Sequence, residues 1–400
     1  MIFDIKKQAR RVASYFGSEK EGRGLTLVRV TDKSELKEFV QFNLDLYKDN
    51  PNPNHVPDLI GDELKSLSRE SNPAFAFSEA DLFMVKRGGE VVGRIAGIIN
   101  HRANKKWKQN RARFGWVDFI DDDEVVDLLF DTVEAWARER GCDEIHGPMG
   151  FTDLDKEGML IEGFDQMGTM ITIYNYPYYP KQLARRGYEK DIDWLEYKIY
   201  IPKIVPEKHA RLCQIVQDRY GVRLLKFKER DGLMRYGRAI FELINEAYAP
   251  LYSVSELTDD QIEYYIKQYL PMVNLDFVNL VVTNDGEVVG FGITLPSIVK
   301  ALKKANGRLF PTGFIHILKA LKSKQPEVVE LLLIGVKPEY QNKGITALIF
   351  EDLIKVMHRY QVKYAESNPE LETNLSVMLQ WNYFKKVHHK RRRAFYKKLV

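Results

Sequence analysis

The pentapeptide Gly-Glu-Val-Val-Gly stands at residues 89–93 and again at residues 286–290, 197 positions further on. A turn followed by a buried strand can read this way by accident, so the flanking residues decide whether the chain is duplicated. They agree at the same offset. LTLVRV (25–30) falls on VRLLKF (222–227), and the helical stretch that follows pairs Leu36 with Leu233, Phe39 with Tyr236 and Leu44 with Phe241. DLFMVKRGGEVVGRIAGIIN and NLVVTNDGEVVGFGITLPS each set two β-rich runs around a turn, the pattern of a hairpin.

Further along, the stretch from Gly115 aligns without a gap on the stretch from Gly335, and Phe130 meets Phe350. Both read as strand, short loop, amphipathic helix and strand. LARRGYEK (183–190) falls on LQWNYFKK (379–386), and each leads into a Tyr-rich closing strand, DWLEYKIYI or RRRAFYKKL. One insertion in each half moves the offset: FTDLDKEGMLIEGFDQMGTMITIYNYP in the first, VKALKKANGRLFPTGFIHILKALKSK in the second. Each copy thus predicts strand, two helices, a three-strand meander, helix, strand, helix and strand. That order makes an α/β (α+β) domain, a mixed, mostly antiparallel sheet with helices on both faces. The expected division is a basic amphipathic arm over residues 1–24, a first domain over 25–202 and a second over 203–400, parted where prolines interrupt IYIPKIVPEKH.

Composition narrows the function classes. A chain of 400 residues, 44% hydrophobic and 29% charged, has room for two globular domains and no apolar run of membrane-spanning length. The start MIFDIKKQARRVASYF lacks an apolar signal core, so a cytoplasmic protein is expected. A net charge of +4 does not argue for nucleic acid. Cys142 and Cys213 have no metal-type spacing, so they read as buried small hydrophobes and no metal site is expected. Two basic stretches remain, KKQARR and KKVHHKRRRAFYKK; they read as solvated faces, with a membrane surface or an anionic ligand as the sharper alternative.

The copies differ most at the junction of the fourth strand and its helix. The second has Gln341, Asn342, Lys343, Gly344, Ile345 and Thr346 opening the helix, a glycine-containing loop at a helix N-terminus that suits a phosphate. The first has Asp121, Asp122, Asp123 and Glu124 at the corresponding positions. Each carboxylate about 5 Å from a diphosphate costs roughly 1–3 kcal/mol. That copy is expected to bind no phosphate there, its acids serving as helix caps.

Val336 to Ala347, V-x-P-x-Y-Q-x-K-G-I-x-A, resembles motif A of the GNAT acyltransferase superfamily, and the whole chain resembles a tandem GNAT protein, as in the duplicated N-myristoyltransferases. Thr346 departs from the family's usual Gly or Ala. The resemblance implies an acyl-CoA-dependent N-acyltransferase, with acetyl-CoA or a longer acyl-CoA as co-substrate and no metal. Residues 341–346 would cradle the pyrophosphate, and the backbone at Ile334, Gly335 and Val336 would hold the pantetheine and the thioester oxygen. Glu330, ahead of Glu327, matches the family's base, and Asn374 its helix-capping contact to CoA. The family's proton-donating Tyr position is Leu379, with Tyr383 or water as substitutes.

The Met- and Tyr-rich first insertion, with Met159, Met167, Met170, Tyr174, Tyr176, Tyr178 and Tyr179, reads either as core or as the lining of an acceptor or acyl-chain pocket. It resembles stretches of bacterial tandem-GNAT proteins. The first expectation is transfer from acetyl-CoA to an amine of a small molecule or peptide. The alternatives are a long-chain acyl-CoA enzyme acting on a lipid-like amine, with peripheral membrane contact, and a non-catalytic CoA-binding scaffold. Aminoacyl-tRNA-dependent peptidyltransferases share the tandem arrangement, but the CoA-type loop argues against that class.

Overall fold

In the computed structural model, which describes residues 24–49, 51–204, 207–381 and 384–399, both copies of GEVVG lead a hairpin into its second strand. The basic arm and Tyr383 lie outside the described residues. Two compact units divide the chain. Unit 1 comprises the described residues of Met1–Trp194 together with Leu302–Pro311 and Lys390–Val400; unit 2 comprises those of Leu195–Ala301 and Thr312–His389.

Unit 1 begins with β1 (Leu25–Arg29), α1 (Lys33–Asp49) and α2 (Ile60–Ser66). The meander β2 (Ser78–Arg87), β3 (Glu90–Asn100), α3 (His101–Trp107) and β4 (Arg111–Phe119) follows. Next come α4 (Asp123–Glu139), β5 (Glu144–Gly147), β6 (Met159–Glu162), α5 (Tyr178–Arg185) and β7 (Glu189–Tyr200), whose last residues belong to unit 2. The second copy runs α6 (Glu207–Tyr220), β8 (Val222–Leu225), α7 (Arg230–Met234), α8 (Gly237–Tyr248), α9 (Asp259–Tyr269), β9 (Val278–Thr283), β10 (Val288–Pro296), α10 (Val299–Ala305) and α11 (Gly313–Leu321). It ends with β11 (Val328–Val336), α12 (Ile345–Arg359), β12 (Tyr364–Ser367), β13 (Glu370–Leu371), α13 (Leu375–Gln380) and β14 (Lys385–Lys398). Strands β1 to β4 pair antiparallel in order and β4 pairs β5 in parallel; β8 to β11 and β11–β12 do the same.

The closing strands change places. Phe395–Lys398 of β14 pair with β5 in unit 1, whereas residues 198–200 of β7 pair with β12 in unit 2. Contiguous domains 25–202 and 203–400 would each have closed their own sheet. The terminal basic run is accordingly not a solvated face throughout. Lys390 and Arg392 are fully buried, giving hydrogen bonds to the Met167 and Ile173 carbonyls of the first insertion, while Arg393 and Arg391 pair with the buried Asp193. A long cation is tolerated inside only because carbonyls and a carboxylate replace its water. Most of the insertion's aromatics pack as core: Tyr174, Tyr176 and Tyr179 are buried, and Tyr179 stacks on Phe119 at 4.1 Å.

Both glycines of GEVVG have physical work. The first has positive φ in each copy, 88° at Gly89 and 91° at Gly286, which a tight hairpin link requires. The second lies under a helix. A Cβ on Gly93 would stand 2.7 Å from Leu129 of α4, and one on Gly290 2.7 Å from Ile345 of α12. Gly97 and Gly292 repeat the arrangement beneath Trp136 and Ile349. The missing side chains let each helix settle onto its sheet, burying Leu129 and Phe130 or Ile345 and Ile349 at about 1.5–3 kcal/mol apiece.

The two helices also stop alike. Cys142 N–H bonds Ala137 O at 3.0 Å and Gly141 N–H bonds Arg138 O at 3.0 Å; Val362 bonds Met357 at 2.9 Å and Gln361 bonds His358 at 3.0 Å. This is a Schellman stop, which needs a left-handed residue after the cap. Gly141 supplies it at φ 78° and Gln361 at φ 55°. Both cysteines are buried, and burial pushes the Cys142 thiol up to about 11 and the Cys213 thiol up to about 12. Because a side chain in the left-handed region costs about 1 kcal/mol, Gln361→Gly is expected to raise stability by about that amount and Gly141→Gln to lower it similarly, read as opposite shifts in a urea midpoint.

Candidate active site

Unit 2 brings most of the expected residues together at the end of β11. The strand pairs β12 only from Val328 to Leu331, so its second half has no strand on that side. A bulge opposite Ile293 and Thr294 begins the divergence. Along the splayed edge each carbonyl meets a side chain. Leu332 O accepts from Asn368 Nδ2 at 2.7 Å, Ile334 O from the Tyr248 hydroxyl at 3.1 Å and Val336 O from Gln341 Nε2 at 3.3 Å. N–H and C=O of one strand residue point the same way, so the amides of Ile334 and Val336 face this edge while Gly335, in register with Phe291, faces β10.

The loop after β11 turns sharply into α12. Asn342 has φ 59° and Gly344, the residue capping the helix, φ 81°. Gly344 is also pressed against α6, where a Cβ would sit 2.8 Å from Val216. α12 runs 15 residues from Ile345, so its first N–H groups and its dipole are directed at the loop, a place for an anion. Lys343 Nζ stands 5.3 Å from the Tyr220 ring and 5.0 Å from the Tyr340 ring, which hold a cation at the loop. Ile345 is buried, and Thr346 follows it in the first turn.

In unit 1 the three aspartates of the acidic counterpart are engaged by structural partners. Asp122 caps α4 through Glu124 N at 2.9 Å and Val125 N at 3.3 Å and pairs with Arg87 at 2.6 Å. Gln182 of α5 donates to Asp121 and Asp123.

Of the two glutamates weighed as a base, Glu327 is already engaged by its surroundings. It is half exposed, paired with Lys300 and Lys363 at 2.6 Å each, and those hydrogen bonds pull its carboxyl down to about 2. Glu330 is buried, 4% exposed, in register with the buried Glu366 on β12, so the two carboxyls share one face of the sheet. His389 Nε2 lies 3.8 Å from Glu366 Oε1. The opposite face, with Val329, Ala365 and Ile199, packs against Phe350 and Leu353 of α12.

Two sequence-read positions stand apart. Asn374 begins the six-residue α13 without capping it through its side chain; its Oδ1 accepts from Ser376 at 2.8 Å. Leu379 is 60% exposed and has no proton to give.

A group the sequence did not mark stands out instead. Glu370 is 7% exposed; Oε1 accepts from the Trp381 indole at 2.6 Å, and Oε2 is buried with no hydrogen-bond partner among the described residues. Burial pushes this carboxyl up to about 7, against the Trp381 hydrogen bond, the nearby Ser367 hydroxyl and the Lys386 charge. The only sequence signal was a glutamate shortly after the fifth strand of the copy, which patterning cannot separate from a solvated turn. Among the described residues no group of three or more His, Cys, Asp or Glu is arranged to hold a metal, and no helix is long and apolar enough to cross a membrane.

No family model matches the chain. It is similar to Protein YghO of Escherichia coli (strain K12), 27% identical over 354 residues, 86% of this chain and 88% of that protein. It is also similar to the bacterial ceramide synthase of Caulobacter vibrioides (strain NA1000 / CB15N), 26% identical over 322 residues, 79% and 82% of the two chains. Among solved structures, a tandem GNAT protein from the clavulanic acid biosynthesis pathway matches with a TM-score of 0.53 at 14% identity, over 94% of this chain and 99% of that one. A GCN5-related glucosamine N-acetyltransferase region in a fungal multi-domain β-N-acetylglucosaminidase matches with a TM-score of 0.54 at 11% identity, over 94% of this chain and 38% of that one. The fold is therefore that of GNAT proteins, in its tandem form, as the residues around Gly344 imply.

A carboxyl held at about 7 in the folded state and near 4.5 when unfolded favours folding in its protonated form. That contribution is complete below pH 4.5 and is lost as pH rises to about 7. Glu370→Gln is expected to remove this dependence: in denaturant melts at a series of pH values, the variant gains on wild type by up to about 3 kcal/mol across that window.

Proposed function

We propose that this chain is an acyl-CoA-dependent N-acyltransferase whose thioester site lies in unit 2. The observation that carries the reading is the left-handed Gly344 loop opening α12 beside the splayed edge of β11. A diphosphate would sit on the N–H groups of residues 342–346, at about 1.5–3 kcal/mol for each hydrogen bond to the charged group. The amide-bearing pantetheine arm would then run along β11 as an added strand, using the N–H groups of Ile334 and Val336.

An alkylamine of pKa about 10.4 is only about one part in a thousand neutral at pH 7. Glu330, with Glu366 beside it, takes the ammonium proton. The amine nitrogen then attacks the thioester carbonyl, whose oxyanion is met by N–H groups of the β11 edge, and the C–S bond breaks. Glu370 supplies the proton to the departing thiolate, the role for which Leu379 is unsuited. Asn374 is assigned to the CoA side of α13, where its amide nitrogen is available to the ligand.

The likeness to a bacterial ceramide synthase over most of both chains supports a lipid-like amine as acceptor and a long-chain acyl-CoA as donor, ahead of acetyl-CoA with a small amine or peptide. Thermal shift with CoA, acetyl-CoA and palmitoyl-CoA separates these readings. Palmitoyl-CoA is expected to stabilise most, and Lys343→Glu and Gly344→Glu to abolish the shift. A preference for acetyl-CoA restores the short-chain reading, and no shift with any thioester removes the transferase altogether. In turnover with a long-chain amine, Glu330→Gln is expected to lower kcat by about 10²–10⁴ with little change in KM for the thioester; thioester binding without turnover on any amine would instead identify a CoA-binding scaffold.

A further inference from the structure

Unit 1 contains a cavity that the site in unit 2 leaves unexplained. Its walls are Val40, Asn43 and Leu44 of α1, Asp58 and Ile60 at the entry to α2, Glu63 of α2 and Arg94 of β3. The free interior is about 10 Å³ measured for the centre of a water-sized sphere, room for one water or one ammonium head. The Leu302–Pro311 segment packs on two of these walls: Ile60 N–H bonds Gly307 O at 2.9 Å, and Gly307 lies so near that a Cβ there would come within 2.5 Å of Leu44.

Most charges around this space are already satisfied. Arg94 is held by Asp118 at 2.6 Å and by the Phe39 carbonyl at 2.9 Å, and both sides of the ion pair are buried. Asn43 Nδ2 donates to the same Asp118 at 3.1 Å, which leaves Asn43 Oδ1 as an acceptor, 3.3 Å from the His55 ring. Asp58 pairs with Lys156. Glu63 is different. Its Oε2 accepts from the Trp116 indole at 2.6 Å, and among the described residues Trp116 is the one hydrogen-bond partner of its side chain. Trp116 reaches it from a bulge in β4 opposite Arg94 and Ala96, with φ at 41°, a conformation that a bulky side chain adopts only when its surroundings impose it.

With the two ion pairs neutral, an ionised Glu63 leaves the cavity one negative charge in excess. A water cannot balance that charge; a monovalent cation can. An alkylammonium offers three N–H donors, and the walls offer three acceptors, with Val40, Leu44 and Ile60 as apolar lining for its first carbons. We propose that this cavity binds the head of a primary alkylamine, sharing its N–H donors among Glu63, Asp58 and Asn43. The site goes beyond the transferase reading: it lies in the copy that lacks the phosphate loop and is a second amine site, separate from the Glu330 position where the acceptor nitrogen reacts.

Burial, reinforced by the Asp58 charge, raises the Glu63 carboxyl above its ordinary range, against Lys156, Arg94 and the Trp116 hydrogen bond. Asp62 nearby is raised by burial too, and burial holds His55 down at about 3, so His55 stays uncharged over the working range. Amine binding therefore weakens as pH falls and Glu63 takes up its proton.

Calorimetric titration of the full chain with n-butylamine, n-butanol and potassium chloride tests the site. Butylamine is expected to bind at pH 8 and at least tenfold more weakly at pH 5.5, butanol not to bind, and Glu63→Gln to lose at least tenfold in affinity at pH 8. Equal binding of butylamine and butanol, competition by potassium at equal concentration, or an unchanged Glu63→Gln variant would each overturn the proposal. The palmitoyl-CoA thermal shift, read on the same wild-type and Glu63→Gln samples, keeps the two ideas apart. A retained shift without amine binding removes only the amine site, and amine binding without a shift removes only the transferase reading.

Discussion

The close seat of one helix on its sheet governs the arrangement of both units. Gly93 and Gly97 under α4, and Gly290 and Gly292 under α12, remove the side chains that would otherwise lift the helix away. Seated this way, α12 brings its N-terminus beside the last residues of β11, where that strand has lost its neighbour. The loop between them has only Pro338 to Gly344 in which to turn, and left-handed residues at Asn342 and Gly344 make so tight a path feasible. In unit 1 the same seating puts the α4 N-terminus against Arg87 and Gln182, and acids there find partners instead of repulsion. One packing rule thus yields a left-handed glycine loop at the helix N-terminus in one copy and an aspartate-capped one in the other.

What could be read from the sequence follows from the range of the interactions involved. Hairpin glycines, strand alternation and the helix stripe are local, so the order of elements and the contrast between Asp121–Glu124 and Gln341–Gly344 were legible without coordinates. The partner of a closing strand is a long-range choice, and nothing in DWLEYKIYI or RRRAFYKKL marks which sheet each will join. The same reason hid Lys390 and Arg392: a run of cations reads as solvated until the carbonyls of Met167 and Ile173 are found around it. Glu370 and Glu63 were missed because burial, which shifts a carboxyl, is a property of the packed chain and leaves no trace in spacing. Glu327, second to Glu330 in the sequence, is taken up by Lys300 and Lys363, long-range partners that no local pattern announces.

The copies have diverged in charge more than in backbone. Unit 1 keeps a buried Arg94–Asp118 pair whose rupture from one side would cost about 3–5 kcal/mol, and a strained Trp116 beside it. Such features are expensive for a domain that serves only as support. Unit 2 instead gathers carboxyls, Glu330 and Glu366 on one sheet face and Glu370 beneath Trp381, around a strand edge whose backbone is held by exchangeable side-chain contacts. Buried ion pairs and buried carboxyls are therefore distributed unequally over a shared framework.

The exchanged closing strands also set an order of assembly. Residues 395–398, which complete the sheet of the first copy at β5, are synthesised only after the whole of the second copy's core elements. Until they arrive, β5 is an open edge and Asp193 lacks the arginines that neutralise it. Translation thus delivers the nearly whole first copy long before it can be sealed, and a chain cut at the apparent domain boundary would leave both sheets unfinished.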